Sequence, residues 1–198
     1  MRPVDLPPPA SMREGWAAFA AVATAVGSAV CHAAEDRWHF DDGGGNWADL
    51  VPVGGGRAVL LGWDREGETY FRGAASYFDR PETDLLAGAP DWWAPPVEEA
   101  ERPYHWVGFV YGFDGGWTRA DYAASDGFAR VGLPAVSAQA CRELCAEFCA
   151  DAVATVDPVA LGAVVAAGTQ VTESQLAALL GGEGDPAAGV AAARRFLG

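Results

Sequence analysis

Residues 105–113 read HWVGFVYGF, an apolar run with period-two alternation. Val107, Phe109, Tyr111 and Phe113 share one face of a strand, and Trp106, Gly108, Val110 and Gly112 share the other. The two glycines on that second face let a helix or another backbone come close, which predicts a central strand. Working outward, RAVLLGW (57–63) is almost continuously apolar and predicts an inner strand. DREGE turns the chain, and ETYFR (68–72) is expected to pair back as its hairpin partner. DRWHF (36–40) alternates as well, with Trp38 and Phe40 on one face.

The last third reads as helical. Cys141, Leu144, Cys145, Phe148, Cys149, Ala152 and Val156 make one apolar stripe, and Ser137 stands where an N-cap belongs. Asp157-Pro158, Thr172 and Asp185-Pro186 predict three further helix starts. Near the other end, residues 1–12 hold Pro3, Pro7, Pro8 and Pro9 and predict an extended arm. GWAAFAAVATAVGSAVCHAA follows. It has the length of a membrane span or an export signal, but Trp16, Phe19, Ala23, Val26 and Val30 recur at helical spacing. An amphipathic surface helix over about 12–33 is therefore expected, with Ser11 and Glu14 as its capping box. Strands first and helices after predict an α+β fold: an N-terminal helix, an antiparallel or mixed sheet of about four to six strands, and a helical portion over 136–198. The expectation is one domain over 13–198, interrupted by a long irregular excursion at 79–103 with one helical turn near Thr83–Leu86.

Composition narrows the function classes. Half of the 198 residues are apolar, with eight Trp, nine Phe and five Tyr, so the chain can bury a core. It has no Lys, no Ile and one Asn, Asn46, which is the codon bias of a GC-rich genome. The net charge is −14, and residues 35–101 carry fifteen acids against five arginines. That field repels nucleic acid and anionic lipid and speeds encounter with a basic protein. Cys141, Cys145 and Cys149 lie four apart and Cys31 stands alone. This suits reduced thiols packed as small hydrophobes in a cytoplasmic protein better than a disulfide framework or a metal site.

Chemical motifs are sparse. HFDDGGGNWADL (39–50) has the Asp-Gly chemistry of a tight turn, echoed by FDGGWTRADY from Phe113. Its oxygens have the wrong spacing for calcium, and its acids repel phosphate; a divalent ion held by His39 with Asp41 and Asp42 is the weaker alternative. His39 and His105 both fall in expected strands and would meet if those strands were neighbours. Asp64, Glu66 and Glu68 crowd one turn and offer paired carboxylates for a hydrolase. No cofactor motif is present. The favoured site is the Pro-stiffened APDWWAPPVEEAE, where Trp92 and Trp93, with Trp47, supply aromatic anchors and Asp91, Glu98 and Glu99 an anionic rim. In size and charge the chain is similar to immunity proteins that neutralise toxins. The resulting expectation is an inhibitor-type protein that binds a basic partner, with no nucleic acid and no membrane.

Overall fold

The computed structural model describes residues 1–34, 36–102 and 105–197. The fold is α+β, with an N-terminal helix, antiparallel strand pairing and C-terminal helices. Among the described residues there are seven strands, where four to six were expected. The chain divides into two compact units, each built from separated segments: residues 1–8 with 41–131, and residues 9–40 with 132–198.

Unit 1 is a sheet with helices. Its strands are β1 (Arg2–Val4), β4 (Trp47–Gly54), β5 (Arg57–Trp63), β6 (Phe109–Phe113) and β7 (Trp117–Arg119), in the order β1-β7-β6-β5-β4. As expected, the apolar run 57–63 is an inner strand: Ala58 to Trp63 are all buried between β4 and β6. The β4–β5 hairpin turns on Gly54, Gly55 and Gly56, all at positive φ, which a side chain would resist. One face of the sheet carries the core of the unit. Val59, Leu61 and Trp63 of β5 meet Val110 of β6, Trp93 and Val97 there. The glycines of β6 and the segment before it do what their spacing predicts. A Cβ on Gly112 would collide with the Trp93 indole, and one on Gly108 would press on Trp63.

Several expectations for this unit need correcting. ETYFR forms no strand. Thr69 donates to the Gly108 carbonyl, the Tyr70 carbonyl accepts from Thr83, and the Glu68 amide donates to Ser125, so the segment's polar groups are taken by loops. Two helices follow it, α2 (Gly73–Phe78) and α3 (Ala94–Glu101), preceded by a 3-10 turn at Asp91–Trp93. The span 79–103 is thus partly helical, because Pro95 and Pro96 stand in the first turn of α3, where their missing N–H groups cost nothing. A fourth helix, α4 (Phe128–Val131), closes the unit.

Unit 2 is helical. It comprises α1 (Pro9–Ala25), β2 (Cys31–Ala33), the start of β3 (Trp38–Asp41), α5 (Ala138–Ala150), α6 (Pro158–Ala167), α7 (Glu173–Leu180) and α8 (Pro186–Arg194). The expected caps are present: Ser137, Asp157, Thr172 and Asp185 each accept from a first-turn amide, and Thr172 completes a capping box with Gln175. α1 departs from its reading. It begins at Pro9, so the expected arm 1–12 holds β1 and the first turn of α1, and its tail 31–33 is a strand. It is also a buried central helix and not an amphipathic surface one: every residue from Trp16 to Val22 is buried, as is Ala23. Alanine makes this possible, because α5, α6 and α8 all approach α1 closely. A Cβ on Gly189 of α8 would lie 2.5 Å from the Ala21 carbonyl oxygen. Glu14 caps nothing; its Oε2 accepts from the Thr169 amide at 2.7 Å and from the Thr169 hydroxyl at 3.0 Å. Among the described residues no helix is long and apolar enough to cross a membrane.

The contact between Trp93 and Gly112 yields a direct test. Gly112→Ala is expected to destabilise the protein by about 1–3 kcal/mol through overpacking. Urea denaturation monitored by tryptophan fluorescence would measure the loss.

Candidate functional site: an acid-rimmed aromatic surface

The helix α2 is held between two backbone outliers. Arg72 has φ 44° and ψ −112°, and Asp79 has φ 51°; among the described residues these are the non-glycine residues at positive φ. Such conformations cost on the order of 1–3 kcal/mol each and persist only where neighbours enforce them. Arg72 is fixed by a 2.9 Å ion pair with Glu101 and by stacking over Phe71, 4.6 Å from the ring centre. The result is that the end of α2 presents rings to solvent. Tyr77 is 71% exposed and Phe78 41% exposed.

These rings are firmly backed. Phe78 stacks on the buried Trp63 at 6.0 Å and 12°, and it meets Tyr70 at 5.7 Å and Trp106 at 5.9 Å. Tyr77 lies 5.1 Å from Trp106. The exposed aromatics are therefore held in one arrangement by the rings beneath them. Tyr70 also lines a depression of about 490 Å3 bounded by Glu68, Arg80, Glu82 and Thr83. With exposed Asp79 beside Phe78, the rim of this surface carries more carboxylates than arginines.

The expected anchors lie elsewhere. Trp93, 1% exposed, and Trp47, 7% exposed, are core residues and cannot reach a partner. Trp93 is drawn inward by the space over Gly112, and Trp47 lies 5.4 Å from His105. Trp92 is half-buried under the Arg57 guanidinium, 5.2 Å from its ring centre. Asp91, Glu98 and Glu99 are exposed.

Of the three carboxylates of the DREGE turn, Asp64 is buried and Glu66 and Glu68 are exposed. Asp64 is 1% exposed, and its Oδ2 accepts from Arg130 Nε at 2.9 Å while its Oδ1 accepts from the Glu66 amide at 2.6 Å. Glu66 and Glu68 are exposed, and Glu68 accepts weakly from the Ser125 amide at 3.3 Å. Next to Asp64, across Gly127, lies a group absent from the sequence reading: Tyr111 and Tyr122 both donate to Asp126 Oδ2 at 2.8 Å. Its only sequence signal is the turn dipeptide Asp126-Gly127. Burial, and then the Asp126 charge, push both phenols well above their ordinary range. Both aspartates have donors on both oxygens, so they brace the loop 120–130.

The opening of HFDDGGGNWADL is answered as a turn. Asp41 accepts from the Gly43 amide at 2.6 Å. Asp42 takes the amides of Gly44 and Asn46 on one oxygen and the Asn46 side chain on the other. Among the described residues, no three His, Cys, Asp or Glu side chains are placed to hold a metal ion. His39 lies against His32, its partner across β2 and β3, with ring centres 5.0 Å apart. In unit 2 all four cysteines are free and buried. Cys31 and Cys141 contact the successive carbonyls of Trp16 and Gly15 at 3.6 Å. Burial raises the Cys31 thiol and brings Cys149 up to about 11. The Cys145 S–H favours the ionised form of Cys141, and Cys145 itself is raised by that contact and by burial.

Compared with known proteins, the chain matches no family model, no curated protein and no solved structure.

Two measurements check the bracing roles. The raised phenols of Tyr111 and Tyr122 contribute stability that is complete below the ordinary phenol pKa of about 10 and is lost as pH climbs through the folded values. Tyrosinate absorbance of the folded protein should therefore fall two residues short above that pH, and denaturant should restore them. Arg130→Gln should lower stability by about 1–3 kcal/mol in urea titration, because Asp64 stays buried with one donor fewer.

Proposed function

We propose that this chain is an inhibitor-type binding protein that docks a basic protein partner on the aromatic surface of α2. One observation carries the reading: Tyr77 and Phe78 stand exposed on a rigid backing of Trp63 and Trp106. Isolated exposed aromatics are common, but a pre-stacked group of this kind gives large contact area at small entropic cost. Charge supports the sign of the partner. Unit 1 holds seventeen acids against eight arginines, an excess that draws a cationic surface in and repels nucleic acid. Asp79, Glu68 and Glu82 then act chiefly on the rate of encounter, and the rings on the rate of departure. The reduced thiols of unit 2 support a reducing compartment such as the cytoplasm.

The test is a retention experiment with the immobilised chain across a salt series. The native chain should retain a basic protein at low salt and release it steeply as salt rises. Tyr77→Ser with Phe78→Ser should weaken retention by about tenfold or more, as loss of a hot spot does, while circular dichroism stays unchanged. Retention indifferent to that double change, or a retained protein that is not basic, would overturn the reading.

A further inference from the structure

We propose that a groove in unit 2, between α8, β2 and the C-terminal end of α1, binds an amphiphilic monoanion: an apolar chain ending in a carboxylate. The cavity has a volume of about 420 Å3, within the range of small-molecule sites. Its long wall is α8, where Ala188, Ala191 and Ala192 face it and Arg195 stands at the end. From Ala188 to Arg195 is seven residues, or about 10 Å of helical rise. The opposite wall is β2, with the buried Cys31 as floor and the exposed His32 beside it.

The charges in the lining select the ligand. Burial keeps the Cys31 thiol protonated, so the floor is neutral and apolar. Among the described residues that line the cavity there is no carboxylate. Arg195 is exposed, and among the described residues no carboxylate is paired with it. A cationic ligand would face this guanidinium with no described carboxylate in the lining to offset it. A neutral one would leave the guanidinium unused. An anion with an apolar tail uses both, laying its chain on the alanines and its head on Arg195.

Octanoate is the probe, with octanol as its uncharged counterpart, each titrated into the full chain by calorimetry and by amide chemical shifts. Octanoate should bind, and octanol about tenfold more weakly, the value of one charge-assisted contact. Arg195→Gln should bring octanoate down to the octanol level. Arg194→Gln, which changes an exposed neighbour outside the lining, should leave octanoate binding as it was. Ala191→Phe, at an exposed helix position that tolerates a larger side chain, should fill the groove and remove both ligands. Equal binding of octanol and octanoate would overturn the proposal. So would an equal loss from Arg194→Gln, or full binding after Ala191→Phe. None of these readouts involves α2, so they are independent of the partner experiment.

Discussion

The Trp93 indole lying on Gly112 is the contact on which unit 1 depends. Burying a Trp side chain of roughly 200 Å2 is worth about 5 kcal/mol at 25 cal/mol per Å2. The indole Nε1 finds no acceptor there, and a buried donor left unmade costs about 1–3 kcal/mol. Burial wins, but only because β6 offers a flat place at Gly112. Once Trp93 is seated, the 3-10 turn at 91–93 and α3 are fixed above the sheet, with Val97 and Ala100 directed into the same core. Arg72 then finds Glu101 at the end of α3, and that ion pair helps to hold the strained residue that starts α2. The exposed aromatic surface is thus the far end of a chain of contacts beginning at one missing Cβ.

Unit 2 solves a different problem by a related device. A helix whose residues 16–23 are all buried must be covered on every side, and large side chains would hold its neighbours off. Alanine on α1, Gly189 on α8 and the small thiols of α5 and β2 keep those distances short. The cysteines fit because their thiols can reach helix carbonyls and remain protonated, as the raised Cys31 and Cys149 do. Trp16 and Phe19 supply the volume that alanine lacks, through ring contacts with Trp38, Phe40 and Phe148.

Local chemistry was the most legible part of the sequence. Ser137, Asp157, Thr172 and Asp185 mark helix starts because a cap is a hydrogen bond between near neighbours, visible in a few letters. The inner strand 57–63 and the glycines of 105–113 were legible for the same reason, as short-range periodicity. What was lost depends on distant partners. Pro95 and Pro96 look like loop punctuation, and only the placement of Trp93 shows them opening a helix. β4 contains Pro52 and a register shift before Gly54, which hide a strand that β5 nevertheless pairs along most of its length. For the proposed surface, the sequence favoured Trp92 and Trp93, and the structure buries Trp93 while leaving Tyr77 and Phe78 exposed. Trp92-Trp93 and Tyr77-Phe78 are both adjacent aromatic pairs, and no local rule says which of them turns inward.

Backbone strain flanks the outward-facing pair. Arg72 at φ 44° and Asp79 at φ 51° flank α2, whose last residues Tyr77 and Phe78 are exposed. Glycine at either place would remove the steric cost, and neither position has it. The arrangement is held by the Arg72–Glu101 pair, by Phe71 beneath the guanidinium, and by Phe78 stacked on Trp63. An ion pair at this depth of exposure adds at most about 1 kcal/mol, less than the strain it accompanies. The balance must come from the apolar contacts, chiefly Phe71 and the stack on Trp63. A partner that covers Tyr77 and Phe78 would therefore meet rings whose orientation is already paid for by the core, and would lose little entropy in fixing them.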